Sequence, residues 1–538
     1  MKTKDILLIL FALLSAGVVL YACKNPGEGV TININTNVLK APTAVQFVNA
    51  VDGAANQPNN FPVTIGGPDA DKVVTSDNKT TFNASEGRIF LALKKGVMPS
   101  ESDPIVFTVA AEVPGFTPAT HTFRITADEP QSVVVPVIEY ANPVPGTTAL
   151  VEEFPLQGGV PTAPITIETP ANAGMSEQAS IVIPAGTEFL DAQGNKIVAA
   201  QLETRIVQYG TESTESLTAF PGGFNVTNIT GENGQPIPGG VAFITAGFIA
   251  MDMYAGGVEV KNFSKPLEIK MDVSNNVTNP ETGQPVKAGD KLPVWSLDDK
   301  TGQWKFESSA TIADDGRGNL SASFTASHLS FWNFDWTSSF CDKPFQITVN
   351  APGRVGANYV VYIESERGYT TGSYAYVSGS NQWTVRIPNE NVRFQIFDET
   401  LRTRYLVTPF MPSCATGSIV LDIPPATNID LVNVKMVLQG TCPNKPVNEN
   451  VSSWARIREK GSTQSSVVYV VNGKLDLILK NNTEYVVEAQ YGNNWKTAEI
   501  MFRKENFTFP GTVSGTATYV QSTNTVNVLA QFKLPNCN

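Results

Sequence analysis

Short runs of alternating apolar and polar residues, each closed by turn-forming residues, constrain this chain more than any other feature. From Ala41 to about Asn142 they read AVQFVNAV, FPVTIGG, RIFLALKKG, PIVFTVAAEV, THTFRITA and SVVVPVIEY, with Gly, Pro, Asn or Asp between them. Successive side chains of a strand point to opposite faces, so a period of two specifies half-buried strands, and a series of them specifies a sandwich. The same texture runs on to the C-terminus. The expected fold class is therefore all-β, with tandem β-sandwich (Ig-like) domains. At 538 residues the chain is too long for one such unit. With 42 Gly, 36 Pro and only 16% charged residues, it has the turn content that many short strands require.

Punctuation suggests the boundaries: 1–22 a leader, 23–40 a tether, 41–142 a first sandwich, 163–340 a second, 341–441 a third and 442–538 a fourth. Between the first two, NPVPGTTALVEEFPLQGGVPT reads as a Pro- and Gly-rich connection.

Several function classes are disfavoured at once. A net charge of −12 without basic clusters argues against nucleic acid, whose phosphates need grouped Lys and Arg. The two histidines, His121 and His328, are far apart, and no HExxH, P-loop, GxSxG or CxxC occurs. No metal and no cofactor is expected. Asp298, Asp299 and Thr301 lack the full spacing of a calcium loop. His121, in the strand THTFRIT, reads as an edge or surface residue.

The first 23 residues, MKTKDILLILFALLSAGVVLYAC, carry Lys2 and Lys4 ahead of an apolar run from Ile6 to Leu20. That run suits a secretory leader better than a membrane span. Leu20-Tyr21-Ala22-Cys23 resembles a bacterial lipobox, although Tyr21 is bulky for its place. The resemblance implies a lipid on the Cys23 thiol, cleavage just before it, and membrane attachment through that lipid. Lys24 is not the aspartate of inner-membrane retention, which points to the outer membrane. The periplasmic and cell-surface sides stay equally open.

The stretch FTVAAEVPGFTPATHTFRITADEPQSVVVPVIEY resembles bacterial carboxypeptidase-regulatory-like and Ig-like modules, which implies a spacer sandwich without a site. In 163–340 the order PAGTEF, SLTAFPGG, then VWSLDDKTGQW, then HLSFW resembles the ankyrin and netrin-receptor (ZU-five) sandwich family and its extracellular relatives. Together these make the chain similar to Bacteroidota outer-membrane lipoproteins. Asp191 to Gly194 and Asp298 to Gly302 read as turns. Val294, Trp295 and Leu297 face Trp304 and Phe306 across a hairpin.

Some members of the ZU-five family cut themselves at a His-hydrophobic-Ser/Thr tripeptide. His328, Leu329 and Ser330 match that pattern. The Ser330 hydroxyl would attack the Leu329 carbonyl, with His328 as base two residues upstream on the same strand face. The competing reading is an intact strand whose histidine packs ahead of the core aromatics Phe331, Trp332, Phe334 and Trp336.

Besides Cys23 there are Cys341, Cys414, Cys442 and Cys537, an even number that in an exported chain favours two disulfides. VKMVLQGTC and VLAQFKLPNC each lead a strand into a cysteine, and Cys341, Cys442 and Cys537 are spaced by about 100 residues. Pairing Cys341 with Cys414 and Cys442 with Cys537 would staple two modules separately. Three connectivities are possible.

Three functions follow. The first is a non-enzymatic, lipid-anchored envelope protein presenting a binding or scaffolding surface to a glycan or protein; Tyr369, Tyr374, Tyr376 and Trp383 are candidate glycan contacts as well as strand-face packing residues. The second is self-processing between Leu329 and Ser330. The third is a glycoside hydrolase, for which Glu152 with Glu153, or Asp298 with Asp299, would supply paired carboxylates.

Overall fold

The computed structural model describes residues 32–34, 39–51, 53–171, 175, 177–398, 403–443, 445–462, 464–491 and 494–534. These residues form four β-sandwiches, with two α-helices of five residues or fewer, Thr214–Thr218 and Ser413–Thr416. The leader, Cys23 and Cys537 lie outside the described residues.

The first, third and fourth modules share one plan. In each, the first strand lies between a middle strand that is antiparallel to it and the module's last strand, which is parallel. Lys40–Asn49 sits between Arg88–Leu93 and Gln131–Val137. Phe345–Asn350 sits between Ser380–Val385 and Ser418–Asp422. Leu431–Thr441 sits between Lys474–Lys480 and Thr525–Lys533. No hairpin can join parallel neighbours, so the chain must pass through the opposite sheet before returning to its own first strand. That opposite sheet is Thr64–Gly66, Ile105–Ala111 and Ala119–Ile125 in the first module. In the fourth it is Ser466–Val470, Ser453–Glu459, Thr483–Tyr491 and Asn494–Phe502.

This plan moves two boundaries. Leu431–Thr441 opens the fourth module rather than ending the third, because its neighbours are Lys474–Lys480 and Thr525–Lys533. The resemblance between VKMVLQGTC and VLAQFKLPNC comes from two strands lying side by side, with Val437 opposite Leu529 and Thr441 opposite Lys533. Likewise Thr147–Pro155, within the expected connection, pairs over nine residues with Gln201–Tyr209 as an edge strand of the second module.

The second module is larger. One sheet runs Thr147–Pro155, Gln201–Tyr209, Val241–Ala255, Phe331–Ser338, Lys291–Asp298 and Gln303–Thr311. Ile165–Glu168, Ala179–Ile183, Asn262–Val273 and Leu320–His328 make the facing sheet. Val241–Ala255 is covered on both faces, which explains its continuous apolar run, and a bulge between Thr245 and Phe248 bends it. The expected hairpin forms, with Leu297 opposite Trp304 and Trp295 opposite Phe306.

The modules are not beads on a string. The second and third share one continuous core, across which the Tyr369 hydroxyl donates to Asn225 Oδ1 (2.7 Å). Between the third and fourth, Asn358 Nδ2 donates to the Val467 carbonyl (3.1 Å) and Val467 N–H donates back to Asn358 Oδ1 (2.9 Å). The fourth returns to the first through Phe90, Trp454 and Trp495. Before the first module begins, Ile32–Ile34 pairs in parallel with Val447–Glu449 of the fourth.

Candidate functional site

The residues with the greatest chemical potential converge at one end of the second module, where it meets the first. Leu320–His328 ends in one sheet and Phe331–Ser338 begins in the other, so Leu329 and Ser330 form the two-residue crossing between them. The expected same-face placement of His328 and Ser330 on one strand therefore does not occur: the strand ends at His328. Leu329 is buried, and its N–H donates to the Lys261 carbonyl (2.8 Å). The Ser330 hydroxyl donates to the Leu297 carbonyl (2.7 Å). The His328 ring lies against Trp332, 4.9 Å between centroids, and its Nε2 is 3.3 Å from Glu307 Oε1.

Glu307 holds this corner together. Burial pushes its carboxyl up, but hydrogen bonds from His328, Ser296 and Lys305 outweigh that and bring it to about 2. A carboxylate locked in this way positions the imidazole and leaves the serine proton directed at a backbone carbonyl. Self-cleavage needs the hydroxyl aimed at the Leu329 carbonyl and a base to take its proton. The hydrogen bonds of the folded chain serve the crossing instead.

Lys261 links this crossing to a partly buried ionic network. Its ammonium lies 2.7 Å from Glu259 and 3.4 Å from Asp299, and Lys300 reaches Glu259 at 2.7 Å. Burial lowers the Lys261 affinity for its proton, yet Asp299 and Glu259 reverse the sign and raise it. Asp252 lies directly across the strand pair from Arg205, and the Tyr140 hydroxyl donates to its Oδ2 at 3.4 Å. Burial, with Asp299 adding to it, pushes Asp252 up to about 7, while Lys261 pulls the other way. Burial raises Asp299 as well.

Asp298 has a different task. Its Oδ1 accepts from the Lys300 and Thr301 N–H groups, both at 2.9 Å, and so folds the turn that Gly302 completes at φ +65°. The turn plugs into the first module, where the Thr108 hydroxyl donates to the Thr301 carbonyl at 2.9 Å. A Cβ on Gly302 would lie 2.3 Å from Thr108 Oγ1 and 2.4 Å from Thr122 Oγ1.

The other candidates lie elsewhere. Glu152 and Glu153 are exposed neighbours on Thr147–Pro155, so they point to opposite faces and flank no bond together. Tyr369 is buried where the second and third modules meet. Trp383 donates through Nε1 to Ser373 Oγ at 2.6 Å and packs on the shared core, while Tyr376 packs on the fourth module's core. Tyr374 is half-buried. His121 is on an edge strand as expected, but half-buried, its ring 4.7 Å from Phe123, and burial lowers it to about 4. Among the described residues no group of His, Cys, Asp and Glu could hold a metal. Cys341 and Cys414 form a disulfide with Cα atoms 5.2 Å apart. Cys442 is disulfide-bonded too, its expected partner Cys537 being outside the described residues.

Asp252 and Lys261 went unseen in the sequence. The signal was there for Asp252: one acid in the run VAFITAGFIAMDMYA, where an unpaired charge is costly. Asp335 is a similar case, fully buried, accepting from Asn333 Nδ2, and held well above the carboxylate range by that burial.

No family model and no curated protein matches this chain. Among solved structures it is similar to a streptococcal ancillary pilin at 12% identity and a TM-score of 0.12, covering 47% of this chain and 95% of that one. The minor pilin GBS52 of Streptococcus agalactiae aligns at 9% identity and 0.14, covering 36% and 98%. The pilus adhesin SpaC of Lactobacillus rhamnosus GG, in its open conformation, aligns at 9% identity and 0.15, covering 73% and 57%. At TM-scores this low the alignments establish no shared function.

Proposed function

We propose that this chain is a non-enzymatic, lipid-anchored envelope protein of the outer membrane, similar to Bacteroidota lipoproteins, that presents a binding or scaffolding surface. One observation carries the reading: the side chains that chemistry would need are occupied by structure. Asp298 folds a turn, Asp299 is paired with Lys261, and Ser330 donates to Leu297. Hydrolysis of a glycosidic bond needs two carboxyl groups flanking an open cleft, and neither acidic pair is arranged that way. Loops at the sandwich ends are the natural binding elements, since a rigid scaffold positions them and their sequence is free of core duties. The partner is a glycan or a protein on this reading, with attachment through the lipid on Cys23.

The test is a paired screen of the purified mature chain against envelope and host glycans, scoring retention and product separately. Retention or protein capture without product supports the proposal. Released sugar that disappears in an Asp299→Asn variant would replace it with a hydrolase.

A further inference from the structure

We propose that the fourth module, not the first, faces the lipid surface, because its edge strand clamps the tether that follows Cys23. The inference rests on the lipid-anchor reading for its membrane half and on backbone pairing for its clamp. Ile32, Asn33 and Ile34 lie in parallel register with Val447, Asn448 and Glu449. In a parallel pair both strands run the same way, so Ile32, the upstream residue of its strand, lies at the end of the module where Val447 begins its own. Thr441 opposite Lys533 and Val513 opposite Phe532 place the ends of three more strand segments there.

The exposed Lys445 and Lys533 mark this end of the module. Ile32 is nine residues along the chain from Cys23, a reach of at most roughly 30 Å when extended. A tether pinned at Ile32 therefore keeps that end within about one module length of the bilayer. Were the tether free as far as Lys40, the first module would hang from it instead, with nearly twice the span to move in. The partner implied is a bilayer surface, met by the end that Thr441, Val447 and Lys533 mark.

Two measurements on the full chain, purified with its lipid in detergent, test the halves separately. Register partners on adjacent strands are about 4.8 Å apart, within the range a disulfide spans. Asn33→Cys with Asn448→Cys is expected to cross-link on mild oxidation, read as a linked peptide pair by mass spectrometry. Asn33→Cys with Ser522→Cys, at the far end of the same module, should not. No link in the first pair, or equal linking in both, overturns the clamp.

In vesicles carrying a headgroup quencher, a fluorophore on Lys445→Cys should be quenched several-fold more than one on Ser522→Cys. Equal or reversed quenching overturns the orientation. An unmodified Cys23 peptide mass would remove the lipid anchor and the orientation with it, while the cross-link would still report the clamp.

Discussion

The first module meets the second and the fourth by opposite means. At the seam with the second module, its Thr108 and Thr122 receive that module's glycine-tipped turn at Gly302, and behind the turn lie the partly buried Lys261 and Asp299 and the buried Asp252. At the seam with the fourth, its Phe90 and Glu86 meet that module's aromatics and an arginine. Phe90 stacks 5.9 Å from Trp454 and meets Trp495 edge-on at 5.6 Å. Arg456 lies over Trp495 at 4.2 Å and pairs with Glu86 and Glu488.

The difference follows from chain distance. The second module is joined to the first by a short link, so its effective concentration there is high and a tight polar fit is enough. The fourth must return across some 300 residues, and apolar burial supplies the non-directional attraction for that return.

The largest expected effect falls on the distant seam. Trp454 belongs to the seam cluster with Phe90, Ala44 and Val467, not to its own module's core. Trp454→Ala should cost about 3–5 kcal/mol of seam stability. Small-angle scattering should show a larger radius of gyration, while hydrogen exchange in the core of the first module stays slow. Loss of protection throughout the first module would mean that the seam and the module are one cooperative unit.

The next effect is confined to the near seam and depends on pH. Asp252 keeps its proton up to about 7 in the folded chain, against an ordinary value of 3.8. The native state thus binds the proton that the unfolded chain has released, and stability falls as pH rises from about 4 to about 7. The size is on the order of 4 kcal/mol. Asp252→Asn should flatten that slope in thermal scans, raising Tm at pH 8 and leaving it nearly unchanged at pH 4. An unaltered slope would place the proton elsewhere.

Gly302→Ala sharpens the same seam sterically. Positive φ and the close threonine hydroxyls together should cost roughly 2 kcal/mol, and faster exchange of the Thr301 and Gly302 amides would report it. The smallest effect is Glu86→Gln. Glu86 is largely exposed and Arg456 keeps Glu488, so the loss should be below about 1 kcal/mol and shrink with salt.

Local pattern explains what could be read in advance. Alternation located the strands, DDKTG the turn that Asp298 folds, and cysteine parity the presence of disulfides, while the pairing of Cys341 with Cys414 across 73 residues was one of three open connectivities. What stayed hidden is non-local. Leu431–Thr441 and Thr147–Pro155 took their module identity from partners many residues away, one through a parallel pairing and the other through an antiparallel one that no tight hairpin closes. RIFLALKKG held an unread clue. Its apolar residues are continuous because Ile89, Leu91 and Leu93 face the module's own core while Phe90 faces the fourth module. The tripeptide at 328–330 matched a motif, but a motif specifies residues and not the crossing between sheets in which they sit.

The most direct measurement is the intact mass of the purified chain from Lys24 onward, taken beside a Ser330→Ala variant under denaturing, non-reducing conditions. Cys341, Cys414, Cys442 and Cys537 all follow Ser330, so no disulfide among them could hold the two pieces together. One undivided mass for each protein is the predicted result, with His328, Glu307 and Ser330 serving the fold. Two fragments meeting at Leu329 and Ser330, absent from the variant, would contradict it and make the crossing a reactive site.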